Sequence, residues 1–377
     1  MKPLVSVVIN NFNYARFLRA ATDSALAQSY PRVEVIVVDD GSTDESREII
    51  ASYGGRVISV LKDNGGQASA INAGFARSRG EYIVFLDSDD TLMPEAAAAI
   101  VNAFAETAAV KAHWYLRVVD EDGRPNGAMR PSGPLARGDL RCVLERDSLD
   151  HACPPQSGNA YARAFLEAAL PIDEPVYRTG GADTLLSMLS IVGGTVAAID
   201  APLGMYRMHH ASHWSSRDLQ ARLRLGYDRF AHTCAELAKW CEARGLPAQP
   251  ARWLAHSWFG RSVEAIGWIV ETVPAGGSFI LIDDDTLGVG ASLEGRRCLP
   301  MTEKDGTYNG PPGSGIDGVQ ELMRLARMGA SHVVIAWPSF WWLEQYRELA
   351  AYLAEGFGCI RRDEVLIAYD LHIALLC

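Results

Sequence analysis

Residues Tyr82 to Asp90 read YIVFLDSDD: five apolar or aromatic side chains run without a break into three carboxylates within four positions. A short, uninterrupted apolar run predicts a strand buried on both faces, as in a parallel sheet covered by helices. The carboxylates at its end repel one another and lose hydration when tied to a packed element. A positive partner is therefore expected beside them.

Three similar runs precede it: VSVVIN (Val5 to Asn10), VEVIVVDD (Val33 to Asp40) and VISVL (Val57 to Leu61). Helical patterns fill the gaps. GSTDESREII offers Ser42 as an N-cap with Glu45 three residues on, a capping box. Pro94 suits the first position of a helix continuing EAAAAIVNAF. The alternation predicts a βαβ series and an open α/β sheet. Ligands of such sheets sit beyond the carboxyl ends of the strands. Three of the four strands end on polar residues there: Asn10, Asn11 and Asn13; Asp39 and Asp40; Asp87, Asp89 and Asp90. The carboxylates then stand on the rim of one crevice, where a nucleotide and a divalent cation could share it.

The chain has 377 residues, more than one hydrophobic core usually spans, and its 48% hydrophobic content is that of a globular protein. The α/β pattern turns mixed from Val110 to His210, as an α+β extension of the same domain. It turns helical from Asp218 to about Val273, including the Trp-rich ARWLAHSWFGRSVEAIGWIVETV. Too few basic residues accompany those tryptophans for a membrane-surface helix, so packing on the main domain is expected. PAGG (Pro274 to Gly277) is a linker signal, and FILIDDD, HVVIAWP and EVLIAYDL beyond it suggest strands. The expected organisation is an α/β domain over residues 1–215, a helical segment over 216–274 and a small α/β unit over 275–377. DGTYNGPPGSG within that unit matches no phosphate-binding fingerprint and is taken as a loop.

With 35 basic and 46 acidic residues the formal charge is -11, and the basic residues are scattered. General affinity for nucleic acid is excluded, and an anionic substrate must be held locally, by a metal or by backbone amides. Seven cysteines without a C-x-x-C pair argue against a disulfide framework and against structural zinc. The N-terminal apolar stretch is too short for a secretory signal, and no run of about 18 apolar residues marks a membrane span. A cytoplasmic location is expected, with contact at the inner face of a membrane left open.

VSVVINNFNYARFLRAATDSALAQSYPRVEVIVVDDGSTDES, DNGGQASAINAG and GEYIVFLDSDD, in this order and spacing, resemble the family-2 glycosyltransferases with the GT-A fold, over roughly residues 3 to 210. The resemblance implies an open, mostly parallel, Rossmann-like sheet flanked by helices. It implies a hexosyltransferase type of enzyme that moves a sugar from a UDP-sugar or another nucleotide-diphosphate sugar to an acceptor hydroxyl, with inversion at the anomeric carbon. The acceptor would be a glycan, a lipid-linked glycan or a protein, and association into a homo-oligomer stays open.

Residue by residue, Asn10, Asn11, Phe12, Asn13 and Tyr14 would flank the nucleobase, and Asp39 and Asp40 would bind the base and ribose side. Asn64, Gln67, Asn72 and Ser88 would complete the donor site, with Arg207 on the diphosphate. The D-x-D falls on Asp87 and Asp89, which would reach the ribose and a bridging Mn2+ or Mg2+. His209 is the candidate third ligand, with His210 and His213 close by as alternatives. Hard cations select oxygen ligands, and such an ion offsets charge on a departing diphosphate. Asp183 fits the catalytic base, kept ionised by its place at a helix start and able to take the hydroxyl proton; a plain N-cap is the other reading. Two departures stand out: Ala182 where many relatives have Glu, and Ile71 where many have Arg. Asn72 and Gly74 keep the pattern.

Two other classes compete. A nucleotidyltransferase would show a Gly-rich, Lys- or Arg-bearing loop after the first strand, which NNFNYARF lacks. A non-catalytic sugar-nucleotide or glycan-binding module is separated from the enzyme by what Asp183 does.

Overall fold

The computed structural model describes residues 2–146, 148–149, 151–209, 219–305 and 307–374, so His210 and His213 lie outside the described residues. The first sheet comprises β1 (Val5–Asn11), β2 (Val33–Asp40), β3 (Ile58–Lys62), β4 (Tyr82–Asp87), β5 (Thr91–Leu92), β6 (Lys111–Val119), β7 (Pro125–Arg130), β8 (Asn159–Ala162) and β9 (Val196–Arg207). Their order is β3-β2-β1-β4-β8-β6-β9-β5, with β7 beside β6. The first four strands are parallel, and α1 (Ala15–Leu26), α2 (Ser46–Ser52) and α3 (Gln67–Arg77) connect them. Antiparallel β8 then joins β4 to β6, which makes the second half mixed.

The apolar runs are continuous because both faces are covered. Val7 and Ile9 join a core with α1 and α4 (Ala96–Thr107). Val8 between them joins another with α3, α6 (Ala182–Gly193) and α7 (Leu219–Glu242), α5 (Arg163–Ala169) also contributing. Helix α3 lies so close to the sheet that a Cβ on Gly74 would stand 2.2 Å from Val8 Cγ1. Only glycine permits that approach.

Three local expectations differ. β3 starts one residue later than VISVL suggests, at Ile58. α4 starts at Ala96, and Pro94 stays in the preceding turn, where its carbonyl accepts from the backbone N–H and the hydroxyl of Ser29. The capping box at Ser42 does not form: α2 begins at Ser46 with no side-chain cap on Glu45. Ser42 instead accepts from Asn11 Nδ2 and from the Asn13 N–H, so a long-range tie displaces the local one.

Two units divide the chain, residues 1–216 with 228–257 and residues 217–227 with 258–377. The helical stretch between the sheets is shared between them. Cys234, Leu237 and Cys241 of α7, with Trp253 of α8 (Pro250–Ala255), are core residues of the first unit. Leu223 and the residues Ala265, Ile266 and Ile269 of α9 (Trp258–Thr272) pack with Phe279 and Leu281 of the second. That unit's sheet runs Ser292–Leu293, Arg296–Pro300, Ser278–Ile282, Ala330–Ala336, Leu366–Ala374, Phe357–Arg362. In it Asp284 accepts from the Tyr308 hydroxyl, the Ser339 hydroxyl and the indole N–H groups of Trp341 and Trp342, a fully satisfied knot. No helix among the described residues is long and apolar enough to cross a membrane.

Candidate active site

The register of the parallel strands assembles the site. Asn10 stands opposite Asp87, and Asn11 opposite Asp39, so the polar ends of β1, β2 and β4 meet on one edge. Asn11 is buried and donates to Asp39 Oδ1 at 3.2 Å, while its Oδ1 finds no partner among the described residues. Both amide atoms of Asn10 are buried without a protein partner as well. Unsatisfied amides in a buried setting are costly, and these stand at the carboxyl end of β1, beside Asp39 and Asp87. Asn13 takes the left-handed conformation that Asn tolerates, φ 57°, and its Oδ1 accepts from the Thr43 N–H at 2.7 Å. It ties the β1–α1 loop, with Phe12 and Tyr14, to the turn after β2.

Several residues expected on the donor also hold the scaffold. Asp39 is fully buried and takes Arg47 Nε at 2.7 Å and the Ser42 N–H at 3.2 Å. Asp40 accepts from Lys62 Nζ at 2.6 Å and from the N–H groups of Gly65 and Gly66 at 2.9 and 2.6 Å. Asn64 accepts from Arg178. Asn72 grips the backbone of Ile172 through both ends of its amide, each at 2.9 Å. Arg207 donates from Nε to the Asp89 carbonyl and from Nη1 to the Glu121 carbonyl, with its guanidinium 5.0 Å from the Phe17 ring centroid, so it straps the D-x-D turn in place. Ser88 is buried within that turn. No local pattern announces such roles, because the partners lie far along the chain.

The loop held by Asp40 docks on the segment that leads into α6. Gly66, at φ 89°, has its missing Cβ 1.9 Å from the Arg178 carbonyl. A Gly66→Ala substitution combines a disfavoured φ with a backbone clash. It should lower unfolding free energy by about 3 kcal/mol in urea denaturation. A loss under about 0.5 kcal/mol would contradict this docking.

The acidic end of β4 carries the charge. Asp87 accepts from Gln156 Nε2 at 2.6 Å, and its N–H donates to Ser157 Oγ at 3.1 Å. Asp90 accepts from the Arg207 N–H at 2.9 Å. Asp89 faces His209, with Oδ2 and Nε2 3.0 Å apart. The His209 ring is buried between Tyr14 and Phe17, at centroid distances of 5.4 and 5.0 Å. Burial pushes the Asp87 carboxyl well above its ordinary range, and Asp89, Asp90 and Asp183 push it further, against the Gln156 amide. Asp90 is raised chiefly by burial and by Asp89. The Tyr14 hydroxyl is raised to about 12 by burial, then by Asp89 and Asp87. A cation entering this cluster would relieve all three.

Among the described residues no three His, Cys, Asp or Glu side chains form a ready cation cage. Mg2+ is commonly held by one or two carboxylates and completed by substrate phosphates and water. The pair Asp89 and His209 fits that arrangement: their 3.0 Å separation is that of neighbouring ligands about 2.1 Å from an octahedral ion.

Asp183 occupies the first turn of α6, after Gly181 with φ 88°. The backbone N–H of Thr184 and its own lower its pKa, as do Arg229 and Lys111, yet burial outweighs them and the carboxyl lies above its ordinary range. Burial therefore opposes the helix start expected to keep it ionised. Arg229, buried on α7, donates to Thr179 Oγ1 at 2.8 Å. Lys111, buried at the start of β6, donates to Ser187 Oγ at 3.0 Å, one turn along α6 from Asp183. Neither residue was expected from the sequence, nor was Gln156. A lysine opening the apolar run KAHWYL was the one available signal.

The model for "Glycosyl transferase family 2" matches residues 6–152. An uncharacterised glycosyltransferase of Nostoc sp. is 35% identical over 216 residues, which cover 56% of this chain and 67% of that one. Chondroitin synthase of Pasteurella multocida is 44% identical over 105 residues, 27% of this chain but 11% of the synthase. An uncharacterised glycosyltransferase of Rickettsia prowazekii is matched over only 29% of its length. Among solved structures, S. aureus TarS in complex with UDP-GlcNAc superposes with a TM-score of 0.48 at 18% identity, covering 72% of this chain and 82% of that one. The chain belongs to glycosyl transferase family 2, with a GT-A sheet in its first unit.

Proposed function

We propose that this protein is an inverting glycosyltransferase that takes a sugar from a nucleotide-diphosphate donor and passes it to an acceptor hydroxyl, with Asp183 as base. The observation that carries the reading is the closeness of Asp183 to Asp87: its charge raises the Asp87 carboxyl, and the start of its helix is linked to that carboxylate through Gln67 and Gln156. Donor and acceptor chemistry then share one crevice. The unpartnered amide atoms of Asn10 and Asn11 are free to meet the nucleotide there. Asp89 and His209 would hold Mn2+ or Mg2+, with Asp87 beside them. When bound, such an ion supplies a Lewis acid to the leaving diphosphate.

Asp183 accepts the proton of the acceptor O–H as that oxygen forms its bond to the anomeric carbon. The bond from that carbon to the diphosphate oxygen breaks, and its electron pair leaves with the nucleotide. Attack from the side opposite the leaving group gives inversion. Arg229 and Lys111 act through Asp183 by favouring its anionic form against the burial that opposes it. Sugar, nucleotide and acceptor are tested by a panel of nucleotide sugars with Mn2+, scored by nucleotide release and by thermal stabilisation.

The pH dependence follows from the sign of the Asp183 shift. The base must be deprotonated, and its pKa is raised, so activity is present above that raised value and lost as pH falls through it. The acid limb of kcat/KM should lie above the ordinary aspartate value of about 3.9. A profile flat down to that value would remove Asp183 from the base role.

A further inference from the structure

The start of α6 has no capping side chain from its own segment, since Gly181 stands at the N-cap. Its orphan Ala182 N–H is nonetheless satisfied, by Gln67 Oε1 at 3.1 Å. Gln67 Nε2 in turn donates to Gln156 Oε1 at 3.2 Å, and Gln156 Nε2 donates to Asp87 Oδ1 at 2.6 Å. Four separate elements meet in this row: the start of α6, the start of α3, the 156–158 turn and the end of β4. Its sense is fixed from the Ala182 end, because a backbone N–H can only donate. Flipping either amide would set donor against donor or acceptor against acceptor. Both ends of each glutamine are engaged within the protein.

We infer that Gln67 and Gln156 are positioning residues, a two-amide tie that holds the helix carrying Asp183 in register with the first carboxylate of the D-x-D. The inference rests on the function proposed above. Neither glutamine touches a reacting atom. The end that meets Asp87 is a short hydrogen bond, at 2.6 Å, and the end at Ala182 fixes a helix terminus that would otherwise fray. The donor half and the acceptor half of the site are thereby set at one separation. Displacement of a catalytic group by about 1 Å can cost about 10²-fold in rate, so the tie bears on turnover more than on binding.

The test uses the full-length chain with Gln67→Met, Gln156→Met, the double variant and Gln67→Glu. The last keeps an acceptor for the Ala182 N–H but loses the donor to Gln156. Hydrogen exchange at the Ala182 amide reads the tie without any reaction. It should accelerate at least tenfold in Gln67→Met, and an unchanged rate overturns the tie whether or not the protein transfers sugar. Catalysis is read separately. Each single variant should lose about 10²-fold in kcat, and the double variant no more than the worse single, because one break releases the helix as fully as two. Gln67→Met should keep the donor KM within about twofold, since Asp87 retains Gln156. Losses that multiply in the double variant, a loss confined to donor KM, or Gln67→Glu with unchanged kcat would each overturn the positioning role. Asp183→Asn measured in the same assay separates the two readings: if it transfers sugar normally, the base assignment fails, and the exchange result at Ala182 still decides the tie.

Discussion

Asp183→Asn is expected to lower kcat for transfer by about 10²–10⁴-fold, the range that a positioned general base contributes. The replacement has the same shape and keeps an oxygen to accept the Thr184 N–H, so the start of α6 should stay intact. What it lacks is a site for the acceptor's proton. Nucleotide binding measured by calorimetry with Mn2+ should be unchanged, because the donor contacts lie at the ends of β1, β2 and β4. Wild-type turnover in this variant would discard the proposed mechanism and favour a binding module. Loss of turnover together with loss of nucleotide binding would count against the assignment too, since it would mean that Asp183 serves the donor.

The second large effect concerns the cation. Asp89→Ala removes the carboxylate facing His209 and leaves that buried imidazole with both nitrogens unpaired. Lewis-acid stabilisation of a leaving group is worth several kcal/mol, so kcat/KM should fall by about 10³-fold. EDTA should have an equal effect on the wild type, reversed by added Mn2+, and should add nothing to the variant. Full turnover in EDTA would refute the role given to this cluster. A drop in Asp89→Ala that excess Mn2+ restores completely would move the ion to other ligands.

The parallel half of the first sheet was legible because its strands are buried on both faces, which leaves β1 to β4 as unbroken apolar runs ending on polar residues. Fold class followed from that alternation. Which end of each polar residue is used was not legible. Asp40 holds a loop 25 and 26 residues away, Asn72 one 100 residues away, and Arg207 a turn 118 residues away. Local spacing carries no trace of such pairings. Gln156 was missed for the same reason: it opens a short turn directly after two prolines, in a stretch without periodicity, and only the fold brings it to Asp87. The tryptophans of the helical stretch were expected to pack on the main domain rather than to meet a membrane. Trp253 is fully buried in the first unit's core, whereas Trp258 and Trp268 pack against the second's.

Helix α7 belongs to both units, its first nine residues on one side of the division and the rest on the other. A fragment ending at the PAGG stretch would therefore not be a trimmed enzyme. It would retain Leu223, Ala265, Ile266 and Ile269 as an oily face stripped of Phe279, Leu281 and their neighbours. Such a face invites self-association and precipitation, so poor yield of the shortened protein would report on where it was cut rather than on any duty of the missing part.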